Sequence, residues 1–102
     1  DYYASRGLGD VYKRQVYDAI WYHTTGKPDM TRLEKILYLA DYIEPSRDFP
    51  GVEELRKAVY EDLDHGLLLG LNMTIQEMEE MGNPVHHQTR DARDYLLKRG
   101  IR

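Results

Sequence analysis

Apolar residues recur at helical spacing in five segments of the chain, a pattern that is typical of amphipathic helices. No segment alternates apolar and polar residues over enough positions to predict a strand. The predicted helices cover residues 11 or 16 to 24, 31–43, 52–61, 63–81 and 90–99. Because the connections are short, we predict an all-α domain in which about five helices form a compact bundle.

Several helix ends carry capping signals. Thr31 followed by Glu34 predicts a capping box, and Pro45 is expected to end the same helix. Within the fourth helix, Gly66 and Gly70 lie one turn apart, so we expect another helix to approach closely there. The expected N-caps of the last two helices are Asp62 or Asp64 and Thr89.

Two polar residues continue the apolar stripes of the first two helices. Asp41 follows the stripe of the second helix, which consists of Leu33, Ile36, Leu37 and Ala40. A carboxylate on a buried face needs a metal ion, a cation or strong donors; otherwise Asp41 forms an ion pair with Arg47 or Arg56, or lies at the stripe edge. His23 is either a metal ligand or phosphate contact, or a histidine satisfied by the helix end. Its stripe consists of Val16, Ala19 and Ile20.

Two loops carry further candidate groups. A guanidinium at Arg47 is suited to clamp a phosphate, although an ion pair with Asp48 is the alternative. His86 and His87 lie beside Pro84, where they would either border a ligand pocket or face solvent. Adjacent histidines point in different directions, so we do not expect both to bind one metal ion.

Composition narrows the class of protein. The chain has 102 residues, which is enough for one small domain. The absence of cysteine excludes disulfides and thiolate metal sites, and it fits a cytoplasmic protein. The net charge is −4 with both signs interleaved, which disfavours binding to nucleic acid. The apolar runs are too short for a membrane span.

Residues 1–15 differ in origin from the rest, in our interpretation. The run Asp10-Val11-Tyr12-Lys13-Arg14-Gln15 is what the codons GAT-GTG-TAT-AAG-AGA-CAG encode, and this DNA resembles a transposon adapter used for sequencing libraries. A natural glycine-containing loop before a helix is the alternative. We expect a non-native, poorly packed segment, of which residues 11–15 could join the first helix, and a natural protein that is truncated at Val16.

Several strings of the sequence resemble one family. They are Tyr22-His23-Thr24-Thr25-Gly26, Met30-Thr31, Ala40-Asp41-Tyr42-Ile43-Glu44-Pro45 with Arg47, and Phe49-Pro50-Gly51-Val52. In combination they are similar to the bacterial HD-domain symmetrical diadenosine tetraphosphatases of the YqeK type. The likeness covers residues 16 to about 97 and weakens toward the C-terminus.

This resemblance implies an HD-type helical fold, a divalent metal ion, with iron expected, and hydrolysis of diadenosine tetraphosphate to two ADP. Asp41 matches the last metal-ligand aspartate of the family, and His23 is the other candidate catalytic residue. The residues expected to contact the dinucleotide or ADP are His23, Thr24, Ser46, Arg47, Pro84 and His86. The resemblance leaves the oligomeric state open.

The sequence departs from the family in its metal ligands. The family has a histidine and a His-Asp pair upstream of this region, whereas here only the reversed pair Asp64-His65 occurs. We therefore predict that residues 16–102 are the C-terminal part of a single domain, inactive alone and with exposed apolar patches. The alternative is a non-catalytic helical module that binds a nucleotide or a protein around His23 and Asp41.

Overall fold

Five helices make up the computed structural model, which describes the backbone of residues 2–102 and the side chains of residues 11–102. They are α1 (Tyr2–Tyr22), α2 (Arg32–Ile43), α3 (Val52–Glu61), α4 (Leu63–Glu80) and α5 (His87–Lys98). No strand occurs among these residues, which confirms the all-α prediction. Helix α1 begins well before either predicted start, so residues up to Gln15 continue the first helix instead of preceding it.

Local signals place most of the helix ends correctly. The main-chain N–H of Thr31 donates to Oε1 of Glu34 (2.9 Å), and the N–H of Glu34 donates to Oγ1 of Thr31 (3.2 Å). This confirms the capping box. Asp62 caps α4 through its side chain, as one of the two predicted candidates. The prediction for α5 is wrong, because His86 and not Thr89 is its N-cap.

Helix α4 lies at the centre of the bundle and packs against α2, α3 and α5, while α1 packs against α2. Because three helices cover it, α4 has six buried residues, twice as many as α2, α3 or α5. The fully buried side chains of the core include Tyr38, Leu39, Leu55, Leu67 and Leu71.

Tyr38 is a polar residue within this core. Its hydroxyl donates to Oγ1 of Thr74 (3.3 Å), so the buried phenol keeps a polar partner. Burial raises the pKa of Tyr38.

The two glycines of α4 allow close helix packing, as predicted. A Cβ atom at Gly66 would lie 2.6 Å from Cα of Val59, so α3 passes directly over this position. A Cβ atom at Gly70 would lie 3.0 Å from Cδ2 of Leu39, which is the tip of a flexible side chain.

We expect Gly66→Ala to lower the free energy of unfolding by about 1–3 kcal/mol, because the new methyl group meets a backbone atom that cannot move alone. Gly70→Ala is the matched control, since a leucine rotamer can yield and alanine favours the helix by up to about 1 kcal/mol. Urea unfolding followed by circular dichroism measures both. A Gly66→Ala variant as stable as the parent chain would show that α3 does not pack this closely.

The buried face of α2 is not the predicted one. Glu34, Tyr38 and Leu39 face the interior, whereas Ile36 is 44% exposed and Asp41 is exposed. Apolar residues occupy more than one side of this helix, and the bulky Tyr38 and Leu39 pack against the core. The prediction that Asp41 lies on a core-facing stripe is therefore wrong, since its side chain is exposed.

Helix α1 buries only part of its predicted stripe. Ala19 is fully buried, and Val16 and His23 are half-buried, but Ile20 is exposed. The exposed apolar side chains of this helix include Val11, Tyr12, Tyr17, Ile20 and Trp21, in agreement with the predicted apolar patches. Residues 11–15 are exposed, as expected of a poorly packed segment; the packing of residues 1–10 lies outside the described side chains. No helix within residues 2–102 is both long enough and apolar enough to cross a membrane.

Candidate functional site

The carboxyl end of α2 leads into the turn that carries two of the predicted phosphate contacts. Pro45 has no N–H to continue the helix, and Glu44 is the C-cap residue, in an extended conformation. The N–H of Arg47 then donates to the carbonyl of Glu44 (3.0 Å), which closes the turn. Ser46 and Arg47 are exposed on it. We refer to residues 44–47 as the α2 turn.

The side chain of Arg56, in α3, binds main-chain carbonyls at both ends of the α2 turn. Its Nε donates to the carbonyl of Ile43 (3.1 Å), and its Nη2 donates to the carbonyls of Glu44 (2.8 Å) and Arg47 (2.9 Å). Nη1 also pairs with Oε1 of Glu53 at 2.5 Å. The last carbonyls of a helix have no partner within the helix, and a cation near them is stabilising. The sequence indicates Arg56 as an ion-pair partner of Asp41 and as part of the family resemblance, but it does not reveal these main-chain contacts.

Arg47 is fixed by a main-chain contact. Its Nε donates to the main-chain carbonyl of Asp41 (2.9 Å), so the side chain folds back over the end of α2. Within residues 11–102, no ion pair joins Arg47 to the carboxylate of Asp41 or of Asp48. The two terminal nitrogens of its guanidinium make no hydrogen bond to any of these residues, which leaves them for a ligand.

Ser46 and Glu44 interact within the turn. The Ser46 hydroxyl donates to Oε1 of Glu44 and lowers the pKa of that carboxyl, with smaller lowering effects from Arg47 and Arg56. A group whose pKa is lower in the folded chain adds stability when ionised. This contribution is present at neutral pH and is lost as the pH falls through the pKa of Glu44 in the folded chain. It is small, since Glu44 is solvent-accessible.

The second predicted contact region follows the end of α1. Nδ1 of His23 lies in hydrogen-bond contact with the carbonyl of Ile20, and Oγ1 of Thr24 lies 3.4 Å from Nε2 of His23. A proton on Nδ1 satisfies the helix carbonyl and makes Nε2 an acceptor, which the hydroxyl of Thr24 contacts. The contact matches the alternative in which the helix end satisfies His23. Gly26 then turns the chain with a φ of +74°, against Leu71.

Thr89 joins this region to the start of α5. Its Oγ1 donates to the carbonyl of Thr25 (2.8 Å), and the side chain is buried. Thr89 was expected to cap α5, and no local signal reveals a partner 64 residues away in sequence. His86 takes the cap position, where its Nδ1 accepts the N–H of Gln88 (3.1 Å). The contact therefore brings the turn after α1 near the exposed stretch that contains Pro84 and His86.

A buried ion pair supports the loop between α1 and α2. Glu34 is only 2% exposed, and its Oε2 lies 3.0 Å from Nζ of Lys27. The same ammonium lies 4.9 Å from the ring centroid of Tyr22. Removing the charge of Lys27 would leave the buried carboxylate of Glu34 without its cation. The pair thereby helps to fix residues 23–31 against α2.

The residues do not by themselves fit the divalent metal ion that the resemblance implies. Within residues 11–102, no three histidine, aspartate or glutamate side chains lie close enough to bind one ion. Asp41 is exposed, and no hydrogen bond or ion pair of these residues connects it to His23. Of the reversed pair, Asp64 binds Nζ of Lys35 at 2.5 Å and His65 contacts the carbonyl of Arg102.

Curated relatives align with most of the chain. No family model matches it. A symmetrical bis(5′-nucleosyl)-tetraphosphatase of Bacillus subtilis is 44% identical over 88 residues, which are 86% of this chain and 47% of that protein. Proteins of the same name from Halalkalibacterium halodurans and Staphylococcus aureus are 41% and 37% identical, over 94% and 87% of this chain. The chain spans about half the length of the relatives it matches.

A solved structure shares the fold. It is described as a predicted HD superfamily hydrolase involved in NAD metabolism, from Clostridium acetobutylicum, with 53% identity and a TM-score of 0.81. The match covers 83% of this chain and 45% of that one. Together these comparisons confirm the resemblance inferred from the sequence and the HD-type, all-α fold.

Proposed function

Since the chain matches about half of three symmetrical bis(5′-nucleosyl)-tetraphosphatases, we propose that it is the C-terminal part of such an HD-domain hydrolase. The whole protein would depend on a divalent metal ion and convert diadenosine tetraphosphate into two ADP. The observation that carries this proposal is the 44% identity to the Bacillus subtilis protein across 86% of the chain. Residues 1–15 remain, in this proposal, a non-native segment.

Two surfaces would bind the nucleotide. On the α2 turn, Arg47 offers two terminal nitrogens, which are donors suited to phosphate oxygens. The Ser46 hydroxyl would exchange its contact with Glu44 for one with the phosphate. The turn after α1 offers Nε2 of His23 and the hydroxyl of Thr24. Pro84 and His86, near that turn, would border the nucleoside.

Asp41 is the one residue of this set proposed to bind the metal ion. A single exposed carboxylate holds a divalent cation weakly, because metal affinity depends on the number and geometry of the ligands. The remaining ligands would therefore come from outside residues 11–102. For this reason we expect the chain alone to be inactive.

A fusion protein tests the proposal. Residues 16–102 would be joined to the part of the Bacillus subtilis relative that the match leaves out, and the purified protein incubated with diadenosine tetraphosphate or NAD and a divalent cation. We expect conversion of the tetraphosphate into ADP by the fusion and no conversion by the chain alone. Cleavage of NAD instead would favour the description given to the Clostridium acetobutylicum protein.

The second candidate function is a non-catalytic module that binds a nucleotide or a protein. The donors of Arg47 and Thr24 lie within residues 11–102 and can bind a phosphate without a metal ion, which favours it. A fusion that binds ADP but hydrolyses neither substrate would support this alternative and contradict the enzyme proposal.

A further inference from the structure

We propose that Arg56 is a positioning residue for nucleotide binding, which acts by fixing the α2 turn so that Arg47 presents its terminal nitrogens to a phosphate. The inference rests on the proposed function of Arg47. Arg56 itself would not touch the nucleotide, because its donors are directed at main-chain carbonyls and at Glu53.

The contacts of Arg56 bracket the turn at both ends. Ile43 and Glu44 supply carbonyls where α2 ends, and Arg47 supplies the carbonyl where the turn ends. The planar guanidinium reaches all of them at 2.8–3.1 Å in one conformation. A lysine ammonium is a compact point charge without this fork, so it would not hold both ends of the turn.

Two contacts restrain Arg47, one at its main chain and one at its side chain. Its main-chain carbonyl accepts from Arg56, and its side-chain Nε donates to the carbonyl of Asp41. Without Arg56, the turn keeps the main-chain hydrogen bond between Arg47 and Glu44 and its side-chain contacts, but it loses the guanidinium that joins its two ends. The guanidinium of Arg47 would then sample more orientations and would lose affinity through the entropy of ordering it again.

Burial indicates that these contacts are maintained in water. The side chain of Arg56 is only 18% exposed, whereas that of its ionic partner Glu53 is 82% exposed. An exposed ion pair contributes little, while hydrogen bonds of a charged donor shielded from water are stronger. The carbonyl contacts, more than the pair with Glu53, therefore hold the turn.

The chain offers a matched set of variants. Arg56→Gln removes the charged fork, and Arg56→Lys retains the charge without the fork. Glu53→Gln removes only the exposed ion pair and leaves the carbonyl contacts. Arg47→Gln removes the proposed phosphate contact, and the Arg47→Gln/Arg56→Gln double variant tests whether the two residues act together.

ADP binding to the full chain, followed by nuclear magnetic resonance titration, tests the proposal. We expect Arg56→Gln to weaken ADP binding about tenfold, the effect of having to order one long side chain again, with Arg56→Lys close to it and Glu53→Gln unchanged. The double variant should bind no more weakly than Arg47→Gln alone, since Arg56 acts through Arg47. Two outcomes would overturn the proposal. One is a double variant whose loss of affinity equals the product of the two single losses. The other is an Arg56→Gln variant with unchanged affinity for ADP and a lowered melting temperature.

Hydrogen exchange separates this inference from the proposed function. If the unaltered chain binds no ADP, the proposed phosphate contact fails, but the amide of Arg47 still reports on the turn. We expect Arg56→Gln to accelerate exchange at that amide and to leave the amides inside α4 unchanged. Unchanged exchange at Arg47 would show that Arg56 does not fix the turn.

Discussion

Asp41→Asn should lower the hydrolysis of diadenosine tetraphosphate by the fusion protein about a hundredfold or more and leave its thermal stability unchanged. An amide is a poorer ligand than a carboxylate for a hard divalent cation, so the proposed metal ion would be lost. Stability should persist because Asp41 is exposed and its carboxylate forms no ion pair within residues 11–102. Initial rates and melting curves measure the two quantities separately.

Asp48→Asn is the matched control for charge. It removes one exposed carboxylate just after the α2 turn and should retain nearly full activity. Retained activity in Asp41→Asn would contradict the proposed role of Asp41 as a metal ligand. An equal loss in both variants would instead indicate a general effect of negative charge near the α2 turn.

Leu71→Ala should destabilise the chain by about 2–5 kcal/mol, the range found when a leucine is removed from a packed core. Leu71 is fully buried at the centre of α4. Its Cδ2 would lie 3.5 Å from a Cβ atom at Gly26, so the same side chain also supports the turn after α1. For a chain of 102 residues such a loss is a large part of the total stability.

Urea unfolding of Leu71→Ala, with Leu97→Ala as control, measures this effect. Leu97 lies on α5 but is 49% exposed, so its truncation should cost much less. Similar changes in the two variants would mean that the core is not packed around α4. Amide exchange at residues 24–26 should also increase in Leu71→Ala, since the turn loses its support.

Part of the candidate site could be anticipated from the sequence. Arg47 and Ser46 were identified as loop residues after a helix end, and they lie on an exposed turn there. His23 was placed at the end of the first helix, where its Nδ1 contacts a helix carbonyl. Their roles toward nucleotide and metal stay predictions.

The remaining site residues escaped sequence reasoning because their partners are remote in sequence. Arg56 binds carbonyls 9 to 13 residues away, and Thr89 binds one 64 residues away. Neither contact has a spacing that a helical period would reveal. The burial of Asp41 is also mispredicted from the sequence. Helix α2 has apolar residues on more than one side, and only its packing against distant helices decides which side is buried.

The sequence by itself determined the helices, the capping box at Thr31, the cap at Asp62 and the glycine positions of close packing. These features depend on interactions within about one helical turn, or on the absence of a side chain, so a local pattern contains them. The tertiary structure alone decided which face of α2 is buried, how Arg56 fixes the α2 turn, and that Thr89 ties α5 to the end of α1. Those outcomes depend on which helices pack together, and the free energy of burying Tyr38 and Leu39 depends on distant partners such as Thr74 and Gly70.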